Sequence, residues 1–182
     1  MPGSSTKASG PETAKRIILA IVHEAGGRFR GKTRLYKAFY AAHLWYWKQS
    51  AGILSDYPIA RMPKGPGIHR GDDLLRQLVA DGSLEIQLDR SGLYPEYVYR
   101  TVGPGPEVTQ EERHAIGKAV QWVAGRDATQ AVQEIHEFSR TWNEAKDGEI
   151  LDVYRDLLTD EQEEETRAAV GKARELIDNA WG

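Results

Sequence analysis

Apolar residues near the start of the chain recur at intervals of three and four. Ala14, Ile17, Ile18, Ile21, Val22 and Ala25 fall on one face of a helix over residues 12–25, while Lys15, Arg16, His23 and Glu24 take the other side. Gly26-Gly27 follows, the usual glycine stop of a helix C-terminus. Residues 33–49 are nearly continuous in apolar and aromatic positions. Leu35, Phe39, Ala42 and Tyr46 form one stripe and Tyr36, Tyr40, His43 and Trp47 a neighbouring one, which predicts a central core helix. Pro58, Pro63, Gly65, Pro66 and Gly67 exclude one regular element over residues 52–71 and predict an ordered connector crossing the surface.

A third helix is predicted over residues 71–81, with Leu74, Leu75, Leu78 and Val79 inward and Gly82 as its stop. Residues 84–88 alternate with period two, residues 89–92 have turn chemistry, and residues 97–102 are again β-prone, so a hairpin follows. A Gly-ended helix running into a hairpin resembles a winged helix-turn-helix. Gly103-Pro104-Gly105-Pro106 reads as a hinge. Beyond it, Thr109–Glu112 and Thr159–Gln162 match capping boxes that open helices, with another short helix over residues 128–138 between them. Trp122, Trp142 and Trp181 are expected to anchor helices to one another. The fold class these elements predict is α+β and mainly α-helical. It is one compact domain over residues 11–182 with a small winged-helix-like hairpin, after a Gly/Ser/Lys-rich leader over residues 1–10.

Composition adds few constraints, but charge adds one. Up to Gly103 there are fifteen Lys/Arg against nine Asp/Glu; after it, nine against eighteen. A split of this kind indicates either an anionic partner or two halves that attract each other. With no cysteine, thiol chemistry and disulfides are excluded. No apolar run approaches the roughly 20 residues that span a bilayer. No membrane association, and a cytoplasmic location, are therefore expected.

Gly26-x4-Gly31-Lys32-Thr33 satisfies the P-loop pattern literally, but the residues before it have helical rather than strand spacing, and parallel β–α alternation is missing. A nucleotide-binding enzyme is thus the least favoured reading. The basic cluster Arg28, Arg30, Lys32, Arg34 and Lys37 suits an anionic partner or a solvated turn. Asp72, Asp73 and Asp81 on the presumed recognition helix would repel phosphates, which leaves a DNA-binding regulator as the alternative rather than the lead. The histidines are scattered singly, no serine elbow is present, and Glu161, Glu163, Glu164 and Glu165 read as a solvated first helical turn. No enzyme activity, catalytic residue, metal, cofactor or small-molecule substrate is expected.

Several segments together resemble a known family. Lys32-Thr33-Arg34-Leu35-Tyr36-Lys37-Ala38-Phe39-Tyr40 is like its Lys-Leu-Gln-Lys-Leu-Leu-Tyr run. Arg61-Met62-Pro63-Lys64-Gly65-Pro66-Gly67-Ile68 is like its Gly-Pro stretch before a helix, and Phe138–Ala145 is like its Trp-x-x-Ala segment. On these residues the chain is similar to the Panacea domain, the SocA-like antitoxin family, over about residues 12–160. Gly67, Phe39 and Arg140 stand where that family's pattern has Val, Leu and His. The resemblance implies a non-enzymatic prokaryotic or phage protein that neutralises a toxin by direct contact; the SocA type delivers its toxin to a protease. The residues expected to meet such a protein partner are Arg28, Arg30, Lys32 and Arg34, with Tyr36, Tyr40 and His43 flanking them and Lys64, Gly65 and Pro66 shaping the adjoining loop. Their expected roles are steering and docking.

Overall fold

The computed structural model describes residues 10–50 and 52–181, with the side chains of Ser50 and Trp181 outside that description. The expected leader lies outside the described residues except for Gly10, which already belongs to the first helix, α1 (Gly10–Glu24). That helix buries Ala14, Ile17, Ile18, Ile21 and Val22, the face that its spacing marks. It ends because Gly26 and Gly27 take positive φ, which lets the Gly27 amide reach back to the Val22 carbonyl at 3.0 Å and satisfy a terminal acceptor.

The next three residues form a strand, β1 (Arg28–Arg30), where the sequence suggests only a basic turn. The core helix α2 (Lys32–Ser50) follows. The third helix, α3 (Gly71–Ala80), leads into the hairpin β4 (Leu84–Asp89) and β5 (Glu96–Thr101). The antiparallel sheet has the order β1-β5-β4, with Phe29 and Ile86 both opposite Tyr99. Phe29, Tyr99 and Leu84 point into the core, and the opposite face carries charged and polar residues around a buried Val98. The expected hairpin is therefore present, joined by one strand more than the alternation reveals.

The connector over residues 52–71 is the main correction. It holds a second hairpin, β2 (Ile59–Met62) and β3 (Gly65–Ile68), and all of β3 is buried rather than crossing the surface. Glycines make this close packing feasible. A Cβ on Gly67 would collide with the Met62 sulfur and approach the Tyr36 ring, and one on Gly71 would collide with the Tyr36 hydroxyl. The outer edge of β2 is closed by the chain after Gly148, with the Leu151 amide donating to the Ile59 carbonyl at 2.8 Å.

The acidic half packs on this unit instead of hanging from it. Helix α4 (Gln110–Ala124) lies along α2 and touches α1. Its N-terminus is closed by the expected capping box between Thr109 and Glu112. The Glu112 carboxylate also takes two hydrogen bonds of 2.7 Å from Arg16 on α1, a bidentate tie between the halves. Helix α5 (Ala128–Phe138) starts at an Asp127–Gln130 capping box. The short α6 (Arg140–Glu144) and a 3₁₀ turn over Val153–Leu157 then lead to α7 (Asp160–Trp181). The Thr159–Gln162 capping box is formed as its spacing indicates. No helix among the described residues is long and apolar enough to cross a membrane.

Candidate functional site

The basic cluster is distributed over β1 and the start of α2, and most of its charge is met within the chain. Arg30 donates to Asp89 at 2.8 Å and to Glu96 at 3.1 Å, joining the outer strands of the sheet. Lys32 pairs with Asp72 of α3 at 2.5 Å and lies over the Tyr36 ring. The Lys32 ammonium holds the Asp72 carboxyl below the usual aspartate range. Arg34 reaches the Val123 carbonyl on α4 at 3.2 Å. Within the cluster, Arg28 is the exposed member for which no ion pair is found among the described residues; in the sheet register it sits beside Arg100. Of the two origins weighed for the charge split, attraction between halves accounts for Arg16–Glu112 and Arg61–Asp147. The cluster itself is instead matched by acids of its own half.

The residues expected to flank the cluster point inward. Tyr36 is buried with its hydroxyl on Asp72 at 3.1 Å, and burial pushes that hydroxyl's pKa up. Tyr40, one turn further along α2, is also buried, and its hydroxyl donates to Asp156 at 2.6 Å. His43 is buried too. Its Nδ1 lies 2.8 Å from the Phe39 carbonyl and its Nε2 2.8 Å from the Ser55 hydroxyl. The carbonyl can only accept, so Nδ1 carries the proton and Nε2 accepts from Ser55. This is the hydrogen bond of a nucleophile and its base, a pairing the sequence spacing conceals. Burial, however, lowers the imidazole to about 4, so at neutral pH it is a weak base toward the hydroxyl. The pair acts as a tie between α2 and the loop before β2. Tyr36 flanks Lys32 from within, sharing Asp72 with it, while Tyr40 and His43 bond other segments, because a helix apolar on several sides is covered on several sides.

Lys64 is exposed at the β2–β3 turn, while Gly65 and Pro66 are buried. The reason is Lys37, whose side chain is 2 % exposed and whose ammonium donates to the Pro66 carbonyl at 2.8 Å. Gly65, at φ +100°, leaves the space: a Cβ there would stand 2.6 Å from the Lys37 nitrogen. Burial lowers Lys37 to about 7. Beside it Trp142 is sandwiched, with the His136 ring stacked at 3.9 Å on one contact and the Arg61 guanidinium 4.5 Å from the ring centre on another. Trp142 ties α6 to α5 through His136, as expected of it, and ties α6 to β2 as well, its indole donating to the Met62 carbonyl at 2.8 Å. Trp181, expected as another anchor, has its side chain outside the described residues.

The surface feature most suited to a ligand lies elsewhere. A groove of about 340 Å³ runs between α2 and α5 and is lined by Leu44, Trp45, Trp122, Ile135, Phe138 and Leu157, among others. Lys48 stands on its α2 wall and Glu134 on its α5 wall. Phe138 is 50 % exposed and Trp45 37 %. Both residues lie in helices recognisable from the sequence, but periodicity marks them as core candidates, and only the packing shows that no other element among the described residues covers them. Among the described residues, no group of three or more His, Asp and Glu side chains is placed to hold a metal. The helical conformation of α1 and the antiparallel sheet also deprive Gly26–Thr33 of the strand and parallel neighbours a P-loop uses.

Comparison of the chain with family models, with curated proteins and with solved structures finds no match in any of the three. What the fold and site define is a class: a mainly helical α+β protein with a small antiparallel sheet and an open aromatic groove.

Proposed function

We propose that this chain is a non-enzymatic protein-binding module, antitoxin-like in the sense the Panacea resemblance implies, that masks a partner protein by direct contact. The groove supports this reading. Tryptophan and other aromatic side chains concentrate binding energy at protein interfaces, and here Trp45, Trp122 and Phe138 come from three helices to line one apolar cleft. Lys48 and Glu134 on opposite walls give an incoming segment an orientation. Docking thus falls to the groove and not to Arg30, Lys32 and Arg34, whose donors are engaged inside the chain.

The test is co-expression with the product of the adjacent reading frame, followed by purification on a tag carried by either protein. A complex that survives purification is the expected outcome. Phe138→Glu, at a half-exposed position, is expected to weaken it about tenfold or more while the circular dichroism spectrum stays that of the wild type. Recovery of nucleic acid without a protein partner would overturn the reading.

A further inference from the structure

We propose that the cleft between the loop before β2 and the 3₁₀ turn over Val153–Leu157 is a binding site for a primary alkylammonium ion. It shares no lining residue with the groove, so the inference goes beyond the docking reading and does not depend on it.

The cleft holds about 210 Å³, room for roughly seven water-sized groups. Ile59, Leu151 and Val153 give it a buried apolar wall, and the half-exposed Ile53 and Ile150 stand where it meets solvent. Such walls suit a short aliphatic chain.

The polar groups of the cleft are acceptors. The Nδ1–H of His43 is spent on the Phe39 carbonyl, so its Nε2 takes the Ser55 hydroxyl proton. Ser55 is left with lone pairs alone to offer, one of which the Tyr57 amide uses at 3.4 Å. The Tyr154 hydroxyl oxygen is buried and has no hydrogen-bond partner among the described residues. Trp47 packs against the Tyr154 ring, with centroids 4.8 Å apart, and helps to fix it. A buried hydroxyl without a partner costs free energy until a ligand or a water meets it. Asp56, at an exposed position, adds a carboxylate to the lining.

Charge decides the sign of the ligand. No Lys or Arg lines the cleft, and His43 stays neutral because burial lowers it to about 4. Arg70, which acts on Tyr57 from outside the lining, is paired with Asp73. A second carboxylate, Asp152, adds to burial in raising the Tyr154 hydroxyl to about 12. An anion entering here would meet acid without a counter-charge. An ammonium brings three donors and a positive charge to Ser55, Tyr154 and Asp56, while its alkyl chain takes the apolar wall. A free amine and the lysine side chain of a partner share this chemistry.

Titration of the full chain at neutral pH with isopentylamine, isopentanol and isovalerate, followed by NMR chemical shifts, tests the site. The amine is expected to bind with about millimolar affinity, about tenfold tighter than the alcohol, and isovalerate not at all. Tyr154→Phe removes a hydroxyl that has no partner in the free chain. It should keep the wild-type circular dichroism spectrum and stability, and weaken the amine about tenfold. Asp56→Asn, at an exposed position, should narrow the gap between amine and alcohol. Nα-acetyl-lysine methylamide separates the two sources: binding as tight as isopentylamine assigns the cleft to a partner's lysine, and weaker binding assigns it to a free amine. Equal binding of amine and alcohol, no saturation by the amine, or an amine affinity unchanged in Tyr154→Phe would each overturn the inference.

Discussion

Lys37 shows how one buried side chain makes stability depend on pH. Its ammonium has a single hydrogen bond, to Pro66, and little solvent, so its folded pKa drops to about 7 against about 10.4 in an unfolded chain. Between those values the unfolded state binds more protons than the folded one, and stability rises with pH. Below about 7 both states are charged and the burial penalty is fully present. Chemical denaturation of the wild type should therefore show midpoints climbing from pH 7 toward pH 10, a rise that Lys37→Met should flatten. His43 acts at the acid end with the same sign. It stays neutral in the fold down to about pH 4 and takes a proton near 6.5 when unfolded, so stability should fall as pH drops through that window, and less steeply in His43→Gln. Asp156 is the other demanding residue. Its buried carboxylate accepts from the Tyr40, Ser139 and Thr141 hydroxyls and from the Thr141 amide. Asp156→Ala leaves four donors without that acceptor and should cost about 3 kcal/mol or more in equilibrium unfolding, against about 1 kcal/mol for Tyr40→Phe.

At the scale of elements, the β2–β3 hairpin depends on the absence of side chains. Gly65 combines φ +100° with a Lys37 nitrogen where its Cβ would lie, so Gly65→Ala adds backbone strain to a steric clash. A loss of about 2 kcal/mol is expected by thermal or denaturant unfolding. Gly82→Ala serves as the comparison: its φ of +78° is also strained, but its Cβ would meet nothing within 4 Å, so it should cost less. Helix α7 obeys different rules. Its capping box and the ion pairs of Glu163 fix its start, and hydrogen bonds from Arg155 hold that carboxylate down to about 2. Its acidic first turn is thus not uniformly solvated: Glu163 is buried at the joint with the body.

At the scale of the whole molecule, the basic and acidic halves form one packed unit. Helix α4 covers α2 and α1, Arg16 grips Glu112, and Arg34 reaches the Val123 carbonyl. The Gly103–Pro106 segment connects them without separating them. Calorimetry should accordingly record a single cooperative transition, and two resolved transitions would show that the halves fold independently.

The parts of the fold legible in the sequence are those written within a few adjacent residues. The stripe of α1, its Gly26-Gly27 stop, the spacing of the two Thr-led capping boxes and the alternation of β4 each depend on contacts no more than about five positions away, and local chemistry sets them. The structure decided everything that needed a distant partner. Arg28–Arg30 is a strand only because β5 offers it an edge. The Gly/Pro-rich connector is buried only because Lys37 and Tyr36 meet glycines there. Tyr36, Tyr40 and His43 are inside, while Trp45 on the same helix is open, because the elements packed on α2 cover the first three and, among the described residues, leave Trp45 partly bare. A single chain of residue types fixes which faces are apolar; it takes the packing of elements far apart in sequence to determine which of those faces still look outward, and a docking site is an apolar face left uncovered.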